Sequence, residues 1–187
     1  MARWGCSSCL LFLNFGSLTI AMPCSPEILD ALKQHCGEMP VSEFRGQTRV
    51  IAPQAKLFEV LAFLKQEQGF DFLCDITCVD YLNYRGATDR FGLAYMLVRH
   101  EEWERLIVRC MLNEPDLTVP SATPLFEGAN WLEREVWDMF GIPFEGHPDL
   151  RRILMPEEFT AHPLRKDYPL QGRGERHNFP VLRRGQA

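Results

Sequence analysis

The sequence predicts an α+β fold: a mixed or antiparallel sheet packed with helices, followed by an extended, proline-rich C-terminal tail. Three observations predict it. Runs of strand character at residues 72–78, 91–99 and 106–112 follow one another across short or turn-rich connections. Segments on either side carry apolar residues at helical spacing, bounded by start and stop signals. Beyond that, six prolines fall in residues 143–187, a spacing at which no helix longer than about two turns survives.

At 187 residues and 21.6 kDa the chain is long enough for one domain with a core and short for two. With 46% hydrophobic and 24% charged residues, it is neither disordered throughout, collagen-like, nor a multi-span membrane protein. Seven cysteines are too sparse for a disulfide-stapled scaffold. A net charge of −5 argues against a nucleic-acid footprint. The charge is uneven: residues 151–187 hold eight basic and four acidic side chains, so this stretch is +4 and residues 1–150 carry −9. A basic tail on an acidic body suggests a tail that rests on something acidic, its own body or a partner.

Residues 9–21 form a 13-residue apolar run behind Arg3, too short for a bilayer span of roughly 20 residues. The run has the size of a signal-peptide core; the alternative is that translation starts at Met22. The division expected is therefore a doubtful leader at 1–21, an α+β domain at 22–142 and an extended basic, partner-docking tail at 143–187.

Each element has its own grounds. Ser25 as N-cap and Pro26 at the first helical position open a short helix that Gly37 ends, with Ile28, Leu29 and Leu32 as its apolar side. Thr48 to Ile51 is a short strand. Pro53 opens an amphipathic helix through Leu57, Val60, Leu61 and Leu64, and Gly69 is placed as its C′ residue. In the first long strand Phe72, Cys74, Ile76 and Cys78 share one face. The run 91–99 is apolar enough to be buried on both faces, and the compact connection 100–104 makes an antiparallel hairpin with the next strand. Thr123 as N-cap and Pro124 at the first turn start a helix through Leu125, Ala129, Leu132, Val136 and Met139, stopped by Gly141 and Pro143. In the tail, Leu150, Ile153, Leu154, Met155, Phe159, Leu164 and Tyr168 are anchors rather than linker residues, so the tail lies along a surface, supplied largely by another chain.

No motif of independent chemistry stands out. Cys6 and Cys9 have CxxC spacing but no second pair. Cys74 and Cys78, four apart on a strand, span roughly 13 Å and cannot share a metal; they read as small buried residues. No cysteine run has iron–sulfur spacing, and no two of His35, His100, His147, His162 and His177 sit four apart on a helix. Nucleophile-elbow, P-loop and dinucleotide motifs are absent. The acidic helix stretch Glu133-Arg134-Glu135-Val136-Trp137-Asp138 points Glu133 and Glu135 about 160° apart, which excludes a carboxylate pair on one substrate. Arg134 and Asp138 have the spacing of an ion pair. The preferred reading is structural: charges placed to receive the tail's Arg151 and Arg152, whose planar forks suit carboxylates.

Glu133-Arg134-Glu135-x-x-Asp138-Met139-Phe140, six residues, then His147-x-x-x-Arg151-Arg152-Ile153-Leu154 resembles the signature of the thirty-kilodalton subunit of respiratory complex I, which in bacteria is NADH-quinone oxidoreductase. Ala129-Asn130-Trp131-Leu132 before it and His162-Pro163-Leu164-Arg165-Lys166-Asp167-Tyr168-Pro169 after it agree. So do Val79-Asp80-Tyr81 and Arg90-Phe91 earlier in the chain. The resemblance implies an α+β domain in the peripheral arm of an ion-pumping NADH:quinone oxidoreductase, on the cytoplasmic side of the cell inner membrane and bound there only through the complex. It implies no cofactor and no catalytic residue in this chain, with FMN and iron–sulfur clusters in partner subunits, and a tail against subunits D and B. The partner-binding residues expected are Glu133, Arg134, Glu135, Asp138, His147, Arg151, Arg152, His162, Arg165, Lys166, Asp167 and Tyr168. Two alternatives stay open: the equivalent subunit of a membrane-bound hydrogenase or related complex, and a freestanding enzyme using Glu135, Asp138 and His147.

Overall fold

The computed structural model describes residues 24–174. The leader, the Met22 start, the Cys6/Cys9 pair and His177 lie outside the described residues. Helix α1 (Pro26–Cys36) begins behind Ser25 and ends at Gly37 as its spacing requires, although Ser25 makes no side-chain cap. A hairpin follows, β1 (Val41–Phe44) and β2 (Gln47–Ala52); β2 contains the strand expected at Thr48 to Ile51, and β1 is additional to it. Its two-residue loop holds Arg45 at φ +52° and Gly46 at φ +73°, the left-handed pair that a tight hairpin turn demands. Pro53 leads into a short 3₁₀ turn before α2 (Leu57–Gln66). Gly69, at φ +74°, then turns the chain so that the Phe70 N–H donates back to the Leu64 carbonyl at 3.0 Å.

Strands β3 (Phe72–Asp80), β4 (Phe91–Arg99) and β5 (Glu104–Leu112) complete a five-stranded mixed sheet in the order β1-β2-β5-β4-β3. β4 and β5 pair antiparallel along their whole length, whereas β2 and β5 run parallel. After β6 (Val119–Pro120) comes α3 (Ala129–Phe140), then β7 (Phe144–Glu145), paired in parallel with β6.

One face of the sheet makes the core. Leu73, Ile76 and Cys78 of β3, alternate residues of β4 from Phe91 to Leu97, Leu106 to Leu112 of β5 and Val50 of β2 are buried there with Leu57, Leu61 and Leu64 of α2 and Val136 and Met139 of α3. Fully burying each such side chain contributes roughly 1.5–3 kcal/mol. The opposite face carries no helix among the described residues.

Two expectations need correcting. The register shifts between Leu73 and Asp75, a bulge that advances the side-chain alternation by one. Cys74 is therefore exposed while Cys78 is buried; they do not share a face. Second, α3 begins at Ala129, not behind Thr123. Residues 122–126 form a turn in which the Leu125 and Phe126 N–H groups both donate to the Ala122 carbonyl. A proline at the first helical position looks the same in sequence as one entering a turn.

Candidate docking site: the fastened tail

Helix α3 and the segment after it are built around two buried carboxylates. Glu133 accepts from the Ala122 N–H (2.6 Å) and the Ser121 hydroxyl (2.7 Å), so it pins the turn before its own helix. Burial pushes its carboxyl up to about 7; the two hydrogen bonds offset only part of that. The buried Tyr95 hydroxyl has no hydrogen-bond partner among the described residues. Among the described residues no tail arginine pairs with Glu133.

Asp138, also fully buried, is the clasp of the tail. Its carboxylate accepts from the backbone N–H groups of Ile153 (3.1 Å), Leu154 (2.8 Å) and Met155 (2.9 Å) and pairs with Arg152 at 2.5 Å. Burial works to raise its pKa, but these four donors outweigh it and hold the carboxyl below the ordinary range. The Arg152 guanidinium lies over Trp137 (5.7 Å) and Phe159 (5.9 Å) and donates to the Ala161 carbonyl (3.2 Å). At the helix end Gly141 takes φ +75°, and the His162 ring lies where a Cβ would sit, 2.5 Å away. His162 contacts the Asp138 carbonyl through Nδ1 (3.1 Å), and burial, aided by Arg152 and Arg165, lowers its pKa.

A second fastening lies at the end of β3. The Lys166 backbone N–H, rather than its ammonium, donates to the buried Asp80 (2.8 Å). Arg165 pairs with Glu114, and Arg90 bridges Glu114 (2.6 Å) and Asp167 (2.7 Å). The Arg90 hydrogen bond chiefly holds the Asp167 carboxyl below its usual range. Tyr168 packs edge-on against Phe159 at 5.8 Å. The Leu164 N–H donates to the Met139 carbonyl at 3.1 Å.

The structure thus divides the expected site residues. Asp138, Arg152, His162, Arg165, Lys166, Asp167 and Tyr168 come together to hold residues 150–168 against the chain's own domain. The surface expected to be supplied largely by another chain is, for these contacts, the domain itself. Arg151 does not join them: it is exposed and pairs with Asp149 at 2.8 Å. Arg134 makes no ion pair with Asp138; its Nε donates to the Arg151 carbonyl (3.1 Å) and its guanidinium stacks on Trp131 (4.8 Å), because Asp138 is already saturated by the tail. Glu135 is exposed. His147 accepts from the Asp149 N–H at Nδ1 (3.0 Å), which leaves Nε2–H to donate to the Asn130 carbonyl (3.1 Å). Glu135, Asp138 and His147 therefore share no hydrogen bond. Spacing gives no hint of Asp80, Arg90 and Glu114, which lie 51 to 86 residues from their tail partners. Only the family resemblance marks Asp80 and Arg90.

Among the described residues one group could offer ligands to a metal: His35, Cys36 and Glu59, with His35 Nδ1 at 3.5 Å from Cys36 Sγ and 3.9 Å from Glu59. Burial raises the Cys36 thiol above its ordinary pKa, which works against the thiolate a metal needs. Burial likewise pushes the thiols of Cys24 and Cys78 up to about 12 and Cys110 up to about 11.

The fold and site define a class: an α+β domain that clasps its own proline-rich extension through buried carboxylates. Residues 50–174 match the family described as the respiratory-chain NADH dehydrogenase 30 Kd subunit, and the chain belongs to that family. It is 50% identical over 136 residues to the NADH-quinone oxidoreductase C subunit of Trichlorobacter lovleyi, covering 73% of this chain and 83% of that protein. It is 47% identical over 131 residues to NADH-quinone oxidoreductase subunit 5 of Thermus thermophilus, covering 67% of this chain and 63% of that one. Among solved structures it is similar to a trypsin-resistant fragment of Nqo5, with TM-score 0.60 and 38% identity over 66% of this chain and 97% of the fragment. A structure of a membrane-bound sulfane sulfur reductase, an archaeal respiratory membrane complex, shares the fold at TM-score 0.68 and 24% identity, over 84% of this chain and 92% of that one.

Proposed function

We propose that this chain is a non-catalytic brace in the peripheral arm of NADH-quinone oxidoreductase, held at the cytoplasmic side of the inner membrane through its partners. In this reading FMN and the iron–sulfur clusters belong to other subunits, and the tail presents its outer side to subunits D and B. One observation carries it. The tail's inward groups are spent on the domain, while Leu154 (58% exposed), Leu164 (51%) and Leu170 (107%) face outward and Arg151 is exposed as well. A segment fixed at its back and apolar at its front is suited to receive a neighbour. No helix among the described residues is long and apolar enough to cross a membrane.

The test is affinity purification of the tagged chain from membranes with identification of its companions, for the native chain and for Leu154→Asp/Leu164→Asp. Subunits D and B should accompany the native chain and fall away from the variant. A chain that purifies alone and carries an activity of its own would overturn the reading.

A further inference from the structure

The uncovered sheet face is the other large feature of the molecule, and its chemistry is specific. Strand register puts Ile107 at its centre. Met96 lies beside it on β4 and Arg49 on β2, while Arg105 and Arg109 flank it two residues away on its own strand. At the sheet edge Phe44 is exposed, with the Arg45 and Arg49 guanidinium groups 5.2 and 5.0 Å from its ring centre. Gln47, Cys74, Met96, Arg105 and Ile107 line a shallow apolar hollow there. Four arginines therefore share this face with Asp75, and Asp89 lines a second hollow beside Arg109 and Met111 at its end.

Those arginines differ from Arg90, Arg99, Arg151, Arg152 and Arg165, each of which is paired with a carboxylate. The ion pairs among the described residues engage Arg90, Arg99, Arg151, Arg152 and Arg165, and none engages Arg45, Arg49, Arg105 or Arg109. Arg109 donates to the Tyr81 hydroxyl (2.7 Å), a neutral acceptor. In a chain of net charge −5, cations that outnumber carboxylates around an apolar centre have the anatomy of an interface: a core that excludes water and a charged rim. Residues 1–23 contain no Asp or Glu, and residues 175–187 contain Glu175 against Arg176, Arg183 and Arg184.

We infer that the open sheet face docks an acidic amphipathic segment of a neighbouring subunit. The segment sets an apolar side chain over Ile107 and Met96 and carboxylates against Arg49, Arg105 and Arg109. This rests on the chain being a subunit of an assembly, but it assigns a surface separate from the tail.

The experiment places a benzophenone side chain at Gln47 and irradiates the purified assembly. The expected product joins Gln47 to a peptide of another subunit rich in Asp and Glu. In parallel, Arg49→Glu/Arg105→Glu should lower the chain's affinity for the assembly by about tenfold while its circular dichroism stays native, and Arg49→Lys/Arg105→Lys should retain most of it. Cross-links confined to this chain, to a second copy, to lipid or to a segment without acidic residues would overturn the inference, as would normal incorporation of the double Glu variant. In those cases the chain is still present in the assembly, so the functional reading survives. An assembly isolated without this chain would sink both.

Discussion

Arginines serve two opposite ends in this molecule. Along the tail seam Arg90, Arg152 and Arg165 are largely buried, stacked on aromatic rings and paired with carboxylates of the same chain. On the open sheet face Arg49, Arg105 and Arg109 surround an apolar centre and make no ion pair among the described residues. The first group carries its counter-charges with it, so its contribution is to stability. The second leaves its counter-charges to be supplied from outside, so its contribution is to association. Charge count along the sequence does not separate the two; burial and partner do.

The sharpest way to break the comparison is to remove the clasp. Asp138→Ala leaves Arg152 and three backbone N–H groups without their acceptor, and losing one partner of a buried ion pair costs about 3–5 kcal/mol. Urea unfolding should show that loss, and limited proteolysis should release residues beyond 150. Charge reversal separates the two adjacent arginines: Arg152→Glu should destabilise nearly as much as Asp138→Ala, and Arg151→Glu hardly at all.

The two buried carboxylates should also be opposed in pH. Glu133 has its folded pKa raised to about 7, so the folded state holds more protons and stability falls as pH rises from about 4.5 through 7. The loss is roughly 3 kcal/mol at most. Asp138 has its folded pKa lowered, so its contribution is present above the ordinary carboxylate pKa and is lost as pH falls below about 4. Glu133→Gln should flatten the slope between pH 4.5 and 7 in urea titrations and leave the acid limb unchanged. A slope unaffected by Glu133→Gln would show that Glu133 does not titrate there.

A smaller loss is expected at Gly141→Ala, where an L side chain in the left-handed region costs about 1–2 kcal/mol and the new methyl must also displace His162. Thermal unfolding would read it, together with any loosening of residues 160–168. Least of all, Arg49→Glu/Arg105→Glu should change the stability of the isolated chain by no more than about 0.5 kcal/mol, as for other surface positions. A large loss there would mean that these arginines act within the domain after all.

How far the sequence carries depends on the range of the interaction. Local grammar placed α1, α2, β4, β5 and the end of α3, because capping residues, period and Gly141 act within a few positions of themselves. It also singled out Asp138 and Arg152, which are only 14 residues apart. It misplaced the start of α3, since Thr123-Pro124 suits a turn as well as a first helical turn and the deciding contact is Glu133 reaching back to Ala122. The β3 bulge left no mark, because Cys74 fits either face of a strand. The parallel pairing of β2 with β5 and the Asp80–Lys166 contact are long-range choices made by packing.

The bulge in β3 also gives the molecule a built-in reporter. Of the five cysteines among the described residues it turns one, Cys74, outward, while four remain buried. That thiol borders the hollow on the arginine-bearing face. Its rate of alkylation by a maleimide therefore reads whether that face is covered, without altering any residue that would do the covering.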